Sequence, residues 1–396
     1  MEVDVAVIGG SSAGFYAAEL LARQGRQVAV FERRKSLSYA RRTLIVTPRF
    51  EHLTGTLPPA VRIAETSVIR LVCGMTNVDL PLPEPDLVVE RSAFVQWMHD
   101  RALSAGAEVL WSSALTGLSL ANGAVKLTFS KAKGVRQVRV REAIIGADGF
   151  GSAVAAMTGL SRPRTVTVLQ AEVQLPEGHH AGMTQVWFDA NETRFFYWLI
   201  PELPGRAVAG VIGETKDDPQ ILLRRFLLKL GLSPLGYQGA RVAMHHPGLA
   251  PWTRIGGTRV FLVGDAAGQV KVTTVGGTVT GLLGAEAAVR AICEDLPPAF
   301  TAKSLKRELD LHWMLRKCLN RLDNPGYELL LSSLTSRVRS FLANHNRDSM
   351  AAVFWRLPLL NPALLLVALR GLRAARPVSA QGDCGQRAGP IGFSTD

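Results

Sequence analysis

Apolar positions at the start of the chain change their spacing twice. "VDVAVIGG" (3–10) is a strand-like apolar run, "SAGFYAAELLARQG" (12–25) sets its apolar residues at helical spacing, and "QVAVFERR" (27–34) is strand-like again. A strand, a helix and a strand in that order make a βαβ unit, so the pattern predicts a parallel sheet. Further on, "RSAFVQWMHDRALSAG" (91–106) reads as a helix and "AEVLWSS" (107–113) as a strand. "AVKLTFS" (124–130) and "VRQVRVREAIIGADG" (135–149) read as a small antiparallel meander.

The texture changes between about 163 and 245. "RTVTVLQAEVQL", "TQVWFDANETRFFYWLIP" and "RAVAGVIGE" alternate like strands and predict an antiparallel sheet in a second domain. "TRVFLVGDAAG" (258–268) returns the chain to the first domain, and the stretch after about 296 reads as helices. The expected organisation is a discontinuous α/β domain in two parts, 1–162 and 246–295. A β-rich domain is inserted at 163–245, a helical region covers 296–376, and a Gly-, Ser- and Pro-rich tail at 377–396 is expected to be disordered.

Composition adds limits. The chain has 396 residues, 47% hydrophobic and 20% charged, which fits a globular protein with an ample core. Cys73, Cys293, Cys318 and Cys384 show no paired spacing, so neither a metal site nor a disulfide framework is expected. No basic stretch leads into an apolar one at the start, so no secretory leader is expected and the cytoplasm is the expected compartment. The net charge of +12 suits an anionic cofactor, an anionic substrate or an anionic membrane surface. Nucleic acid is not expected as a partner, because the basic residues are scattered and no basic stripe is interleaved with aromatics.

The first turn carries Gly9-Gly10-Ser11-Ser12-Ala13-Gly14, and Glu32 and Arg33 close the second strand. In a G-x-G-x-x-G turn the first Gly permits the bend, the second admits a diphosphate, and the third lets helix and strand pack. Ser11 holds the second position and crowds that approach. A helix starting near Ser12 offers free N–H groups to a diphosphate, and Glu32 is placed to accept hydrogen bonds from ribose hydroxyls. Three more pieces follow in order: Arg91 at the head of the helix in "VVERSAFVQWM", Asp148 in "GADG", and Asp265 in "VGDAAGQVKVTTVGG".

At these residues, over about 1–295, the chain resembles the FAD-dependent oxidoreductases of the aromatic-hydroxylase and geranylgeranyl-reductase superfamily. The resemblance implies a Rossmann-like FAD-binding domain. Gly9, Ser11, Ala13, Gly14, Glu32, Arg33, Arg91, Asp148, Asp265, Gly276 and Gly277 would then belong to the cofactor site. It implies that Asp265 binds a ribityl hydroxyl, that Arg91 meets the phosphate or ribityl region, and that Asp148 is a strut near the cofactor. Small residues after Asp265 let backbone approach the ring system.

The segment "GDAAGQVKVTTVGG" is similar to the reductase branch, which often reads "GDAAGQVKPTTGGG"; here Val272 replaces Pro and Val275 replaces the first Gly of the run. That substitution predicts a tighter space over the ring. In "FFYWLIPELPGRAVAGVIG", Phe196, Trp198 and Pro201 fit the branch's aromatic-x-Trp-x-aromatic-Pro segment and are the candidates for an apolar substrate channel. Ordinary core aromatics are the alternative for the two rings. The same stretch resembles a halogenase motif, but no Lys occurs from Ser36 to Val125, which argues against halogenation. Arg41 and Arg42 either bind an anionic headgroup or the cofactor's phosphates, or are solvated surface residues.

The expected reaction is reduction of a carbon–carbon double bond in an apolar, isoprenoid-like substrate, with NAD(P)H as a transient donor, since no second nucleotide turn occurs. Oxygenation is the alternative, because hydroxylases share every FAD motif; a flavin-binding scaffold without turnover is a third reading. No catalytic residue or proton donor is identifiable, as the loop after the second strand has no Cys before Cys73. Near the C-terminus, the apolar run Leu357–Leu369 is flanked by Arg356, Arg370, Arg373 and Arg376. At 1.5 Å per residue it reaches about 20 Å, short of the ~30 Å bilayer core. It is expected either to pack as a short helix or to lie on an anionic membrane surface.

Overall fold

A computed structural model describes residues 1–37, 41–121, 124–131, 134–176, 181–214, 218–345, 348, 350–364 and 366–367. The tail predicted at 377–396, and the arginines 370, 373 and 376, lie outside the described residues.

The first sheet contains β1 (Glu2–Ile8), β2 (Val28–Phe31), β6 (Glu108–Leu110), β7 (Ala114–Ala121), β8 (Ala124–Ser130), β9 (Val135–Gly146), β15 (Trp252–Ile255) and β16 (Thr258–Leu262). Its order is β15-β16-β9-β1-β2-β6, with β1 parallel to both β2 and β9. Strands at its centre are covered on both sides, which is why they read as unbroken apolar runs. Val5, Val7, Val30 and Ile145 face α1 (Ser12–Arg23), α3 (Arg91–Ser104) and α6 (Thr278–Cys293). Ala6, Ile8, Phe31 and Ile144 face the other way, onto the β7-β8-β9 meander, where Phe31 and Phe129 stack with centroids 4.1 Å apart. The short helix α4 (Ala153–Thr158) closes that side.

The second sheet contains β3 (Thr43–Val46), β4 (Arg62–Cys73), β5 (Thr76–Glu90), β10 (Thr165–Gln174), β11 (Met183–Trp187), β12 (Tyr197–Leu203), β13 (Arg206–Gly213) and β14 (Pro234–Ala243). It runs β14-β10-β13-β12-β11-β4-β5-β3. Most neighbours are antiparallel, and β11 lies parallel to β4. The sheet is therefore not confined to the 163–245 stretch, since three strands come from residues 43–90. Prolines 81, 83 and 85 mask β5 in the sequence, because proline cannot donate to a ladder. The pairing accommodates them by a slip: Thr66 pairs with Asp86 but Val68 with Pro81, so residues 82–85 bulge out. The helix α5 (Pro219–Leu230) covers the outer face through Leu222, Leu223, Phe226 and Leu227. Opposite it, an inner face carries Val166, Trp198, Ile200, Val208 and Ile212.

The remaining helices are α2 (Arg49–Thr54), α7 (Pro298–Thr301), α8 (Lys303–Leu319), α9 (Asn324–Ser332), α10 (Ser336–Ala343), α11 (Met350–Phe354) and α12 (Leu357–Leu360). Among the described residues no helix is long and apolar enough to cross a membrane. A polar seam ties α8 to the rest. His245 Nε2 lies 2.8 Å from Asp310, Thr273 Oγ1 lies 2.6 Å from His312 Nδ1, and Arg316 donates to the Arg194 carbonyl at 2.8 Å. Lys271 pairs with Asp348, which also accepts from the Thr47 hydroxyl.

Burial, with the nearby charge of Lys271, pushes His312 from its ordinary 6.5 down to about 3. The unfolded chain therefore binds a proton at His312 that the folded chain rejects. Stability from this residue is complete above about pH 6.5 and is lost as pH falls toward 3. Urea unfolding at pH 7 and at pH 4.5 should show a smaller acid loss in His312→Gln than in the natural chain; equal losses would contradict this.

Candidate active site

Close backbone approach builds the site. Gly9 has φ +106°, and a Cβ there would sit 2.5 Å from the Ala147 carbonyl oxygen. The first turn thus lies directly against the "GADG" segment. Ser11 is the N-cap of α1, and its hydroxyl accepts from Gly14 N–H at 3.2 Å. The crowding expected from Ser11 is relieved in this way, because its oxygen is turned onto the helix. By helix geometry the N–H groups of Ser12 and Ala13 point out of the helix start. The Glu32 carboxylate is buried beneath the turn, accepting from Gly10 N–H at 2.7 Å and Arg34 N–H at 2.9 Å. Arg33 beside it is exposed.

Ala13 is the point where three distant segments meet. A Cβ at Gly264 would lie 3.4 Å from the Ala13 methyl, and one at Gly281 would lie 3.2 Å from the Gly264 Cα. Gly264, at φ +61°, opens the "GDAAG" turn and so sits between α1 and α6. Gln269 holds that turn closed, since its Oε1 accepts from Gly264 N–H at 2.7 Å and Thr280 donates to its carbonyl. A methyl at Gly284 would overlap the Gln269 amide. The sequence signal for this contact was a glycine in mid-helix, where helix propensity disfavours it.

Asp265 faces a positively charged corner. A Cβ at Gly277 would lie 3.4 Å from its Oδ1, so the carboxylate is beside the start of α6, whose N-cap Gly277 offers no side chain. Burial raises the Asp265 carboxyl, and the guanidiniums of Arg42 and then Arg91 draw it back down. Burial and the like charge of Arg91 bring Arg42 to about 10, against the pull of Asp265. Arg91 is carried at the head of α3, which Glu90 caps through Ser92 and Ala93 N–H, and its own N–H donates to the Arg42 carbonyl at 2.9 Å. Of the readings left open for Arg42, the surface one is corrected. Its Nε is buried, with no hydrogen-bond partner among the described residues. Arg41 remains partly exposed, 4.0 Å from Glu202.

Asp148 caps α4, accepting from Ala153 N–H at 2.7 Å and Val154 N–H at 3.2 Å, while its Oδ1 is buried without a partner among the described residues. Burial raises its carboxyl above the ordinary range. The orphaned donor at Arg42 and acceptor at Asp148, the latter packed against the first turn at Gly9, fit a dinucleotide bearing phosphates and hydroxyls.

Phe196 and Trp198 share the inner face of the second sheet, their rings 6.0 Å apart. Trp198 lies flat over Gly210, its cross-strand neighbour, where a Cβ would overlap the indole. Pro201 does not join them. Strand alternation puts it with Tyr197 and Leu199, which pack toward α5. Val275 has φ +53° and packs onto the same inner face, so the loop after Asp265 touches the wall that carries Trp198. Gly276 bridges back to Lys271, whose N–H donates to its carbonyl at 3.0 Å.

The model of an FAD binding domain matches residues 2–208. Digeranylgeranylglycerophospholipid reductase 1 of Methanopyrus kandleri is 31% identical over 330 residues, covering 78% of this chain and 86% of that protein. Among solved structures, a geranylgeranyl bacteriochlorophyll reductase-like protein from Thermoplasma acidophilum superposes with a TM-score of 0.78 at 20% identity, covering 93% of this chain and 99% of that one. The flavin-dependent halogenase CmlS superposes at 0.68 with 16% identity, covering 92% and 77%. The structural likenesses establish the fold alone.

Losing a charge-assisted hydrogen bond costs about 1.5–3 kcal/mol. Asp265→Ala and Arg42→Gln should each weaken FAD binding by about ten- to a hundredfold. Titration of the apoprotein with FAD, followed by flavin fluorescence, measures this; unchanged affinity in both variants would remove these residues from the cofactor site.

Proposed function

The chain belongs to the family of FAD-dependent oxidoreductases that includes the digeranylgeranylglycerophospholipid reductases, and from that premise we propose that it reduces carbon–carbon double bonds in an isoprenoid-like lipid at the expense of NAD(P)H. When bound, FAD would supply the two-electron redox chemistry that links the donor to the double bond. The first-turn amides and Glu32 hold the adenosine and diphosphate end. Asp265, Arg42 and Arg91 hold the ribityl and phosphate portion, and the α6 N-terminus stabilises negative charge on the reduced ring.

The observation that carries the substrate class is the contact between Val275 and the Trp198 wall. It sets that loop against an apolar cluster of Phe196, Trp198, Ile200, Val208 and Ile212, all buried except the half-buried Phe196, and these side chains offer no hydrogen bonds beyond the indole N–H. Such a wall favours a hydrocarbon chain and excludes water from the reacting carbons. Relatives named for geranylgeranyl substrates support the same class.

The lipid is met at a membrane surface, in this reading. Trp355, Leu359 and Leu366 are 62%, 81% and 58% exposed, beside the exposed Arg356. An aromatic, an aliphatic patch and an arginine together suit an anionic bilayer interface.

Anaerobic reduction with NAD(P)H followed by a geranylgeranyl lipid should reoxidise the flavin without oxygen and yield a product with two added hydrogens per bond. Reoxidation only on admitting oxygen, with an oxygen atom in the product, would replace reduction by oxygenation. In flotation assays at low ionic strength the protein should rise with phosphatidylglycerol vesicles, and Trp355→Ser with Leu359→Ser should abolish it. A protein that stays at the bottom in every case has no such docking face.

A further inference from the structure

Val275 occupies a left-handed backbone conformation, φ +53°, that β-branched residues rarely adopt. Left to itself, valine populates this region about tenfold less than its extended alternatives. Something outside the turn must hold it. Local closure is modest: Thr274 N–H donates to the Lys271 carbonyl at 3.2 Å, and Lys271 N–H to the Gly276 carbonyl at 3.0 Å.

The external grip falls on Thr273, and it comes from one face of α8. His312, 1% exposed, sets its Nδ1 2.6 Å from the Thr273 hydroxyl. Arg316, one turn later and 4% exposed, donates to the Thr273 carbonyl at 3.3 Å. Arg316 is itself fixed to the second sheet, donating to the Arg194 carbonyl at 2.8 Å and lying 4.8 Å from the centre of the Phe195 ring. It also donates to Asn320 Oδ1 at 3.2 Å. The helix therefore braces the turn against the loop that leads into Phe196 and β12, which carries Trp198.

We propose that His312 and Arg316 are positioning residues which, by gripping Thr273, hold the Val272–Val275 turn in the left-handed conformation that leaves Gly276, Gly277 and the start of α6 open to the flavin. This rests on the reading that residues 275–278 border the flavin. The helical C-terminal region thereby acts on cofactor affinity without touching the cofactor. Releasing the grip lowers the fraction of molecules with a competent turn, and apparent affinity falls by that fraction.

The test is FAD titration of apoprotein variants, with the bound flavin's visible spectrum as a second readout. Thr273→Val, which keeps the shape and loses the hydroxyl, should raise the Kd for FAD about tenfold and shift the spectrum, and Thr273→Ser should restore both. Glycine accepts left-handed backbone at no steric cost, so in a Val275→Gly background the same Thr273→Val change should cost about threefold or less. Equal losses in the two backgrounds, or no loss from Thr273→Val, overturn the proposal. His312→Gln gives an independent measure of the same grip and should parallel Thr273→Val. Gly277→Ala separates the two readings. A Cβ there would lie 2.9 Å from Val270 Cγ2. If Gly277→Ala weakens FAD binding while Thr273→Val does not, only the grip is wrong. If Gly277→Ala leaves binding unchanged, the flavin placement fails and the grip with it.

Discussion

Contact of backbone with backbone around Ala13 is the constraint on which the rest of the molecule depends. The start of α1, the turn at Gly264 and the first turn of α6 come together there, and each contributes a residue with at most one methyl group. A larger side chain at any of the three would separate segments that lie some 250 residues apart in sequence (13 against 264). With them together, the open amides of one helix and the uncapped start of another share one cleft, and both helix ends carry partial positive charge. Asp265 and two arginines then add charges of both signs along it. A long molecule with a central diphosphate flanked by hydroxyl-bearing sugars fits this arrangement of donors and acceptors.

A second consequence concerns how the two sheets communicate. The loop after Asp265 belongs to the first sheet's side of the molecule, yet Val275 packs among residues of the second. Trp198 reaches this junction only because Gly210 leaves room beneath its indole. From the opposite direction α8 touches both, through Thr273 and through the carbonyl of Arg194. The loop after Asp265, the Trp198 cluster and α8 therefore form one packed unit, with little freedom for one to shift alone.

Hydrogen bonding explains why so many polar groups are tolerated in that unit. Lys271, Asp348, Thr47, Thr273 and His312 are partly or wholly buried, and most have a partner within the seam. Keeping His312 neutral avoids placing a further cation beside Lys271. Buried atoms without a partner among the described residues occur both in that seam, at His245 Nδ1, His312 Nε2 and Arg316 Nε, and beside the proposed dinucleotide site, at Arg42 and Asp148.

Much of this was legible from the sequence, because it rests on local patterns. The βαβ start, the meander and the acid after β2 follow from spacing within about thirty residues. The four cofactor segments could be named in order for the same reason, since each is a short stretch whose backbone demands small residues. Strands β3 to β5 were hidden because their pairing partners are distant and three alternating prolines erased the usual signal. Pro201 was grouped with Trp198 because both fit the reductase branch's aromatic segment, although alternation turns it to the other face. The role of Arg42, the seating of Trp198 on Gly210, and the bracing of Thr273 by α8 were decided by tertiary structure alone. Sequence determines which residues can bend, cap or carry charge; only folding decides which distant groups share a low-dielectric space, and there burial and pairing set what each group can do.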